Sequence, residues 1–175
     1  MRNVISRFTI LCATVFLLFG CGSGSSVAPP QQQKTATVTF SATNAPLTSP
    51  GTVSGLQITA LMPTGANVRL KAGTTNEIDP ASLTPRLANS AVSGSYSSVN
   101  REITLLVTST SSLPTDWGTA GNIGPFAEIH VDCQLNVTPA DFYTINPTFP
   151  GFKASNGTVN NPTALLTPAM AVTGI

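Results

Sequence analysis

Charged side chains are scarce in this chain of 175 residues, where they make up 9% of the total. Arg2 and Arg7 belong to an N-terminal segment, and the rest of the chain carries six basic residues against seven acidic ones, for a net charge of −1. No basic stripe is present that could release counterions from a phosphate backbone, which argues against nucleic acid as a partner. The abundant Thr, Ser, Asn, Gly and Pro are typical of an extracytoplasmic all-β domain with a polar, uncharged surface.

Cysteine is also scarce, with three residues in the chain. Cys12 lies in the N-terminal apolar segment and Cys21 directly after it, which leaves Cys133 as the only thiol of the remaining sequence. No intramolecular disulfide can form there, although small exported domains commonly rely on disulfides. We therefore expect the domain to be stabilised by burial across a two-layer core.

A hydrophobic run long enough to span a bilayer is missing too. The apolar stretch from residue 8 to residue 19 is too short for a mature transmembrane helix, and it follows Arg2 and Arg7. A positive segment before a short apolar segment is typical of a secretory signal. We predict that residues 1–20 are a signal peptide that is absent from the working protein.

The end of this segment resembles the lipobox of bacterial lipoproteins. In Leu18-Phe19-Gly20-Cys21 a cysteine follows a small residue and precedes a Gly/Ser-rich sequence, although Phe19 is larger than the residue usual at its position. The resemblance implies that the Cys21 thiol is acylated, that the signal is cleaved before it and that the new amine is acylated, which would anchor the chain effectively permanently. Residues 21–34 then form a lipid-anchored Gly/Ser/Pro/Gln tether, and residues 35–175 form the domain. An ordinary cleaved signal with an incidental cysteine is the alternative.

Short segments of the domain alternate apolar and polar residues with the period of two that predicts half-buried strands. In the clearest one, residues 127–137, a one-residue slip would bury five polar groups. Further predicted strands cover residues 35–41, 56–62 and 68–70, a hairpin pair covers 92–96 and 103–107, and apolar positions continue to Met170 and Val172. No run of ten or more residues shows helical periodicity after the signal. We predict an all-β fold, an antiparallel β-sandwich (jelly-roll) of about eight or nine strands.

Two long connections are predicted between these strands. Residues 72–90 contain two prolines and suggest a loop with a short helix near residues 80–83, which is the first place to look for partner contacts. Residues 109–126 are irregular and contain Trp117, the only tryptophan. Trp117 with other aromatic residues would suit a sugar-stacking platform, but a role in the core or in pinning the loop is favoured because aromatic residues are few.

Chemically reactive side chains are few and poorly grouped. Glu128, His130 and Asp132 lie on the outward face of the clearest strand, but successive residues on one face are about 6.6–7 Å apart, so we expect a solvated polar stripe and no metal site. His130 is the only histidine, and no Gly-x-Ser-x-Gly sequence presents a nucleophile to it. Cys133 points inward and is expected to be an inert core thiol. We predict no catalytic residues, no cofactor and no enzymatic activity, and we take Trp117, Glu128, His130 and Asp132 as the candidate binding surface.

The order of several short motifs resembles that of a cohesin domain. The motifs are residues 51–58 followed by 63–68, residues 100–106 followed by 125–131, and residues 140–142 followed by 154–159. The resemblance covers about residues 35–175 and implies a nine-stranded jelly-roll sandwich, a fold shared with several carbohydrate-binding modules, and a role in protein–protein adhesion. The chain departs from the family at residues 62–65, where an acidic segment is usual, and it contains no dockerin-like calcium loop.

Together these features predict a lipid-anchored module that binds an unidentified envelope or secreted protein at the bacterial cell envelope. The alternatives are a carbohydrate-binding module for polysaccharide, and a structural protein that associates with itself through strand edges, which the low charge permits. Gly22 after the cysteine supplies no acidic retention signal, which favours the outer membrane.

Overall fold

Strands dominate the structure, a computed structural model that describes residues 32–44, 53–110, 123–155, 163 and 166–175. The strands are β1 (Gln33–Asn44), β2 (Gly55–Leu61), β3 (Ala66–Val68), β4 (Leu83–Pro85), β5 (Ser90–Ser97), β6 (Glu102–Ser109), β7 (Gly124–Gln134), β8 (Lys153–Ser155) and β9 (Leu166–Thr173). A 3-10 turn spans Pro80–Ser82, and one α-helix, α1, spans Pro139–Ile145.

The strands form two antiparallel sheets. Sheet A has five strands in the order β3-β7-β1-β9, with β4 also paired to β7, and sheet B has four in the order β5-β6-β2-β8. The chain passes repeatedly from one sheet to the other, and its first and last strands, β1 and β9, are neighbours in sheet A. The predicted all-β antiparallel sandwich of about nine strands is confirmed.

Apolar side chains on the inward faces of both sheets form the core. Phe40 on β1, Ile129 on β7, Ile58 on β2 and Leu105 on β6 are all fully buried. The hairpin predicted between residues 92–96 and 103–107 is confirmed, since β5 and β6 pair directly along these residues. The alternation therefore predicted correctly which side chains of these strands face the core, because only one of the two phases places the apolar residues there.

Several local features differ from the sequence prediction. β1 begins at Gln33 and so includes two residues assigned to the tether. β7 runs from Gly124 to Gln134 and ends in a turn, so Leu135 is 56% exposed and does not face the core. Glu128 was expected in a solvated stripe but is buried, because an arginine that follows β4 covers it. The loop predicted over residues 72–90 contains the expected short helical turn and also β4.

The helix α1 was missed because seven residues form only two turns and show no clear periodicity. Its start nevertheless has a recognisable signature. Pro139 occupies the first turn, and Asp141 accepts hydrogen bonds from both the backbone N–H and the hydroxyl of Thr138, at 2.8 Å each. Phe142 on this helix is fully buried, so the helix contributes to the core.

The β5 edge of sheet B is covered by the connection that precedes it. At β5, Ile78 N–H donates to Gly94 O at 3.0 Å, and Tyr96 N–H donates to Asn76 O at 2.7 Å. A Cβ on Gly94 would lie 2.8 Å from Ile78 Cδ1, so glycine allows this connection to pack closely. Because unpaired edges invite pairing with other chains, this cover protects sheet B from strand addition at β5.

At one end of the sandwich, side chains pair with backbone groups of β2 and β9. Beyond the short β8, Asn146 pairs with Leu61 on β2: Leu61 N–H donates to Asn146 Oδ1 at 2.8 Å, and Asn146 Nδ2 donates to Leu61 O at 2.9 Å. At β9, Val172 N–H donates to Tyr143 Oη at 3.0 Å. Pro168 lies four residues before Val172 on β9, so its backbone nitrogen faces the same edge, and this nitrogen carries no hydrogen.

Candidate functional site

The outer surface of sheet A, which we call the charged face, brings together the three polar residues singled out on β7. Glu128, His130 and Asp132 project to the same side, as predicted from their spacing. Their cross-strand neighbours on β1 are Thr39, Thr37 and Thr35, respectively. Each of the three therefore stands beside a threonine hydroxyl with which it can share a hydrogen bond.

Glu128 is held by two donors. Arg86 Nη2 lies 2.6 Å from its Oε1, and the Thr39 hydroxyl donates to the same oxygen at 3.0 Å. Burial alone would raise the pKa of Glu128, but the hydrogen bonds from Arg86 and Thr39 outweigh it and hold the pKa below its ordinary value. The ion pair fixes the end of β4 to the middle of β7.

Asp132 is held by a two-pronged contact with Arg69. Arg69 Nε donates to Oδ2 at 2.6 Å and Nη2 donates to Oδ1 at 2.5 Å, while the Thr35 hydroxyl donates to Oδ1 at 3.4 Å. The hydrogen bonds from Arg69 lower the pKa of Asp132, against the opposing effect of burial, and the same contact raises the pKa of Arg69. Arg69 follows β3 and Arg86 follows β4, so the segment between these two arginines, which includes β4, is attached to β7 at both ends.

His130 lies between these two ion pairs, with its Nδ1 atom 3.2 Å from the Thr37 hydroxyl. The stripe is therefore a set of intramolecular pairs in which both carboxylates and the imidazole already have partners. In the described residues, no group of three or more His, Cys, Asp or Glu side chains is arranged to hold a metal ion. Sequence reasoning missed Arg69 and Arg86, since nothing local to either residue indicates which carboxylate it pairs with.

Cys133 faces the core from β7 and is fully buried. Its thiol lies 3.8 Å from Val131 O, and burial raises the pKa of the thiol. A buried thiol with a raised pKa is poorly nucleophilic because little thiolate forms near neutral pH. Its position agrees with the inward direction predicted for it.

The outer surface of sheet B, which we call the neutral face, has a different character. Its strand residues are Ala91, Ser93, Ser95 and Ser97 on β5, Glu102, Thr104, Leu106 and Thr108 on β6, Gln57, Thr59 and Leu61 on β2, and Lys153 and Ser155 on β8. Two of these described residues are charged, Glu102 and Lys153. Leu106 is 43% exposed near the middle of the face, opposite Gln57 on one side and Ser93 on the other. The face is a broad surface of small polar side chains around an exposed leucine.

Two hollows flank α1 at one end of the sandwich. The polar hollow, of about 300 Å³, is lined by Pro63, Thr64, Arg101, Asn136, Val137, Asp141, Thr144 and Ile145. The apolar hollow, of about 320 Å³, is lined by Thr59, Ala60, Leu61, Glu102, Ile145, Asn146, Pro147, Thr148 and Pro150. Neither was predicted, because each is assembled from segments that are far apart in the sequence.

Two of the predicted functional residues, Cys21 and Trp117, lie outside the described residues. Within the described residues, no helix is both long and apolar enough to cross a bilayer. Comparisons of the chain with protein-family models, with curated proteins and with solved structures find no match.

Proposed function

We propose that this chain is a lipid-anchored binding module that attaches a protein partner at the bacterial cell envelope, and that the neutral face of sheet B contacts the partner. One observation carries the choice of surface, namely the exposed Leu106 near the middle of a broad face with few charges. The centres of protein–protein interfaces are depleted in charged residues and bury apolar side chains.

The charged face suits this role less well. Glu128 and Asp132 already accept hydrogen bonds from arginines, and His130 is paired with a threonine. A partner that used these groups would have to replace existing bonds, at a cost in desolvation for each charged group it buried. Contact through the neutral face requires no such exchange.

Paired backbone groups at strand edges, and the lack of exposed aromatic side chains other than Tyr143 in the described residues, favour attachment through a face over the two alternative functions. Self-association by strand pairing needs free backbone groups, whereas groups of β5 and β2 pair with residues 76–78, with β8 and with Asn146, and Val172 N–H on β9 pairs with Tyr143. Sugar stacking on Trp117 draws no support from the described residues, in which Tyr143 is the one aromatic side chain among the exposed large hydrophobics.

The experiment that tests the binding surface places a photo-crosslinking amino acid at position 106 of the full chain in its own cells. We expect one discrete protein to be crosslinked there and at position 93, and to be missed from position 171, which lies on the outer side of sheet A. With that protein purified, Leu106→Glu should weaken its binding about tenfold or more, whereas the matched Ala171→Glu should not. Equal crosslinking from both faces, or equal effects of both substitutions, would reject the neutral face as the contact surface.

The anchor is tested separately by feeding cells an alkyne analogue of palmitate. The lipobox-like sequence predicts that the full chain takes up the label and sediments with membranes, that Cys21→Ser abolishes both, and that Cys133→Ser abolishes neither. Cys133 is a suitable control because it is a buried core thiol. Label retained in the Cys21→Ser variant would exclude this residue as the attachment site.

A further inference from the structure

The polar hollow beside α1 plays no part in the proposed contact with a protein. We propose that it binds the hydroxyl-rich end of an uncharged glycan, one sugar ring at a time, and that this site works independently of the neutral face. Arg101, Asp141 and Thr144 are fixed around the hollow by hydrogen bonds within the chain, and each keeps polar groups that these bonds do not use.

Arg101 forms one wall. Its backbone has φ of +53°, in the left-handed region that non-glycine residues rarely adopt, so the turn between β5 and β6 carries an arginine where glycine or asparagine would be easier to accommodate. Arg101 Nη1 donates to the Thr64 hydroxyl, which fixes the side chain against the turn after β2. A guanidinium has five N–H donors, and this bond uses one of them. Among the described residues, no acidic side chain lies within ion-pair distance of Arg101.

Asp141 and Thr144 on α1 supply acceptors on another wall. Asp141 Oδ2 receives both bonds from Thr138, the backbone N–H and the hydroxyl, which leaves Oδ1 available. These bonds, the backbone one first, lower the pKa of Asp141, so the carboxylate is ionised at neutral pH. The Thr144 hydroxyl donates to Ala140 O at 2.8 Å, and its oxygen is therefore free to accept.

The charges of the hollow select the class of ligand. Arg101 and Asp141 both line it but form no ion pair with each other, so the hollow is neutral as a whole while offering separated donors and acceptors. An anion would be attracted by the Arg101 guanidinium and repelled by the Asp141 carboxylate. Vicinal hydroxyl groups can accept from the guanidinium and donate to the carboxylate, which suits a neutral sugar.

The volume and the apolar lining of the polar hollow also fit an uncharged sugar. Pro63 and Val137 are buried and Ile145 is half-buried, so the lining includes carbon surface that can contact the C–H face of a sugar ring. A hollow of about 300 Å³ is at the lower end of the range for small-molecule sites, which fits a single ring better than a long chain. A peptide would be better served by a free strand edge, whereas backbone groups at the edges of β5, β2 and β9 are paired.

The test is a titration of the ¹⁵N-labelled full chain in detergent micelles with glucose, galactose and N-acetylglucosamine, followed by backbone amide NMR. We expect saturable shifts at residues 64, 101, 136–138 and 140–145 with at least one of these sugars. Arg101→Asn, which tolerates the left-handed turn, should weaken binding about tenfold. Lys71→Asn is the matched control, because it removes one exposed positive charge that lies away from the hollow and outside the neutral face, and it should leave the affinity unchanged.

Asn136→Ala provides a second variant in case Arg101→Asn disturbs the turn, since Asn136 is exposed and follows β7. We expect it to weaken sugar binding while the amide spectrum outside the hollow stays that of the wild type. The proposal is overturned if no sugar gives saturable shifts, if Arg101→Asn and Lys71→Asn have equal effects, or if glycine or acetate binds the hollow more tightly than every sugar.

Discussion

The two outer faces of the sandwich are built on the same alternation of residues and yet carry opposite chemistry. On sheet A, Glu128 and Asp132 are each tied to an arginine from a neighbouring connection. On sheet B, outward positions of β6 hold Thr104 and Leu106, and the Thr104 hydroxyl shares a 3.4 Å hydrogen bond with the Thr59 hydroxyl. One face is occupied by bonds within the chain, and the other leaves its side chains available.

The difference indicates what each face contributes. The pairs on sheet A attach two short edge strands, β3 and β4, to β7, and these strands have only three residues each to hold them by backbone pairing. In sheet B, β5, β6 and β2 pair along seven or eight residues without such ties, and the three-residue β8 is held by pairing with β2 and by hydrogen bonds between Ala154 and the Thr163 hydroxyl. Charged pairs therefore support the short strands of sheet A, whereas the longer strands of sheet B can carry a surface suited to contact.

The sheets also differ in how their edges are closed, and the largest expected effect comes from removing one closure. Asn146→Ala would leave Leu61 N–H, Leu61 O and Phe142 O without the bonds they now make with a buried amide. We expect a loss of about 3 kcal/mol in the free energy of unfolding, measured by urea denaturation of the full chain. Tyr143→Phe, which removes one bond at the half-exposed edge of β9, should cost about 1 kcal/mol.

Equal losses from these two variants would mean that the edge of sheet B depends no more on its side-chain closure than the edge of sheet A does. If the Asn146 amide only filled space, Asn146→Leu would be tolerated. We expect Asn146→Leu to be as unstable as Asn146→Ala, since neither side chain can pair with the Leu61 backbone.

The core residues, and the face of each strand that is buried, were predictable because both depend on the local alternation of apolar and polar residues. Ala36, Val38 and Phe40 alternate with threonines, and only one phase of a strand buries them. The pair of Arg86 with Glu128 was not predictable, because 42 residues separate them and Arg86 lies within residues 72–90, which the sequence predicts to be a loop. The polar hollow was not predictable for the same reason. Thr64 follows β2, Arg101 lies between β5 and β6, and Asp141 lies on α1, so the three residues line one hollow only in the folded chain.

Acid should weaken the charged face before it affects the neutral face. The folded-state pKa values of Glu128 and Asp132 are lower than those of the unfolded chain, so their contribution to stability is complete above the unfolded values of about 4 and is lost as pH falls through the folded values. We expect the free energy of unfolding to decline below about pH 5. The double variant Glu128→Gln with Asp132→Asn should be less stable at pH 7 and decline less steeply.

Two points make this measurement specific. Asp141 also has a lowered pKa and remains in the double variant, so a shallow decline with acid is expected to persist. Glu102→Gln, on the neutral face, should reproduce the wild-type decline in thermal melts recorded from pH 7 to pH 3. A double variant that declines as steeply as the wild type would show that the arginine pairs contribute nothing to the acid response.

The smallest effect on stability is expected on the neutral face itself. Leu106 is 43% exposed and pairs across strands with Gln57 and Ser93, so Leu106→Thr keeps a residue that favours strands and should change the free energy of unfolding by less than about 0.5 kcal/mol. Its neighbour Leu105 faces the core and is fully buried, and Leu105→Ala should cost about 3 kcal/mol. Adjacent leucines on one strand thus separate the two roles: Leu105 stabilises the fold, whereas Leu106→Thr should weaken partner binding in a protein that melts like the wild type. A Leu106→Thr variant with wild-type partner affinity would assign this leucine to neither role.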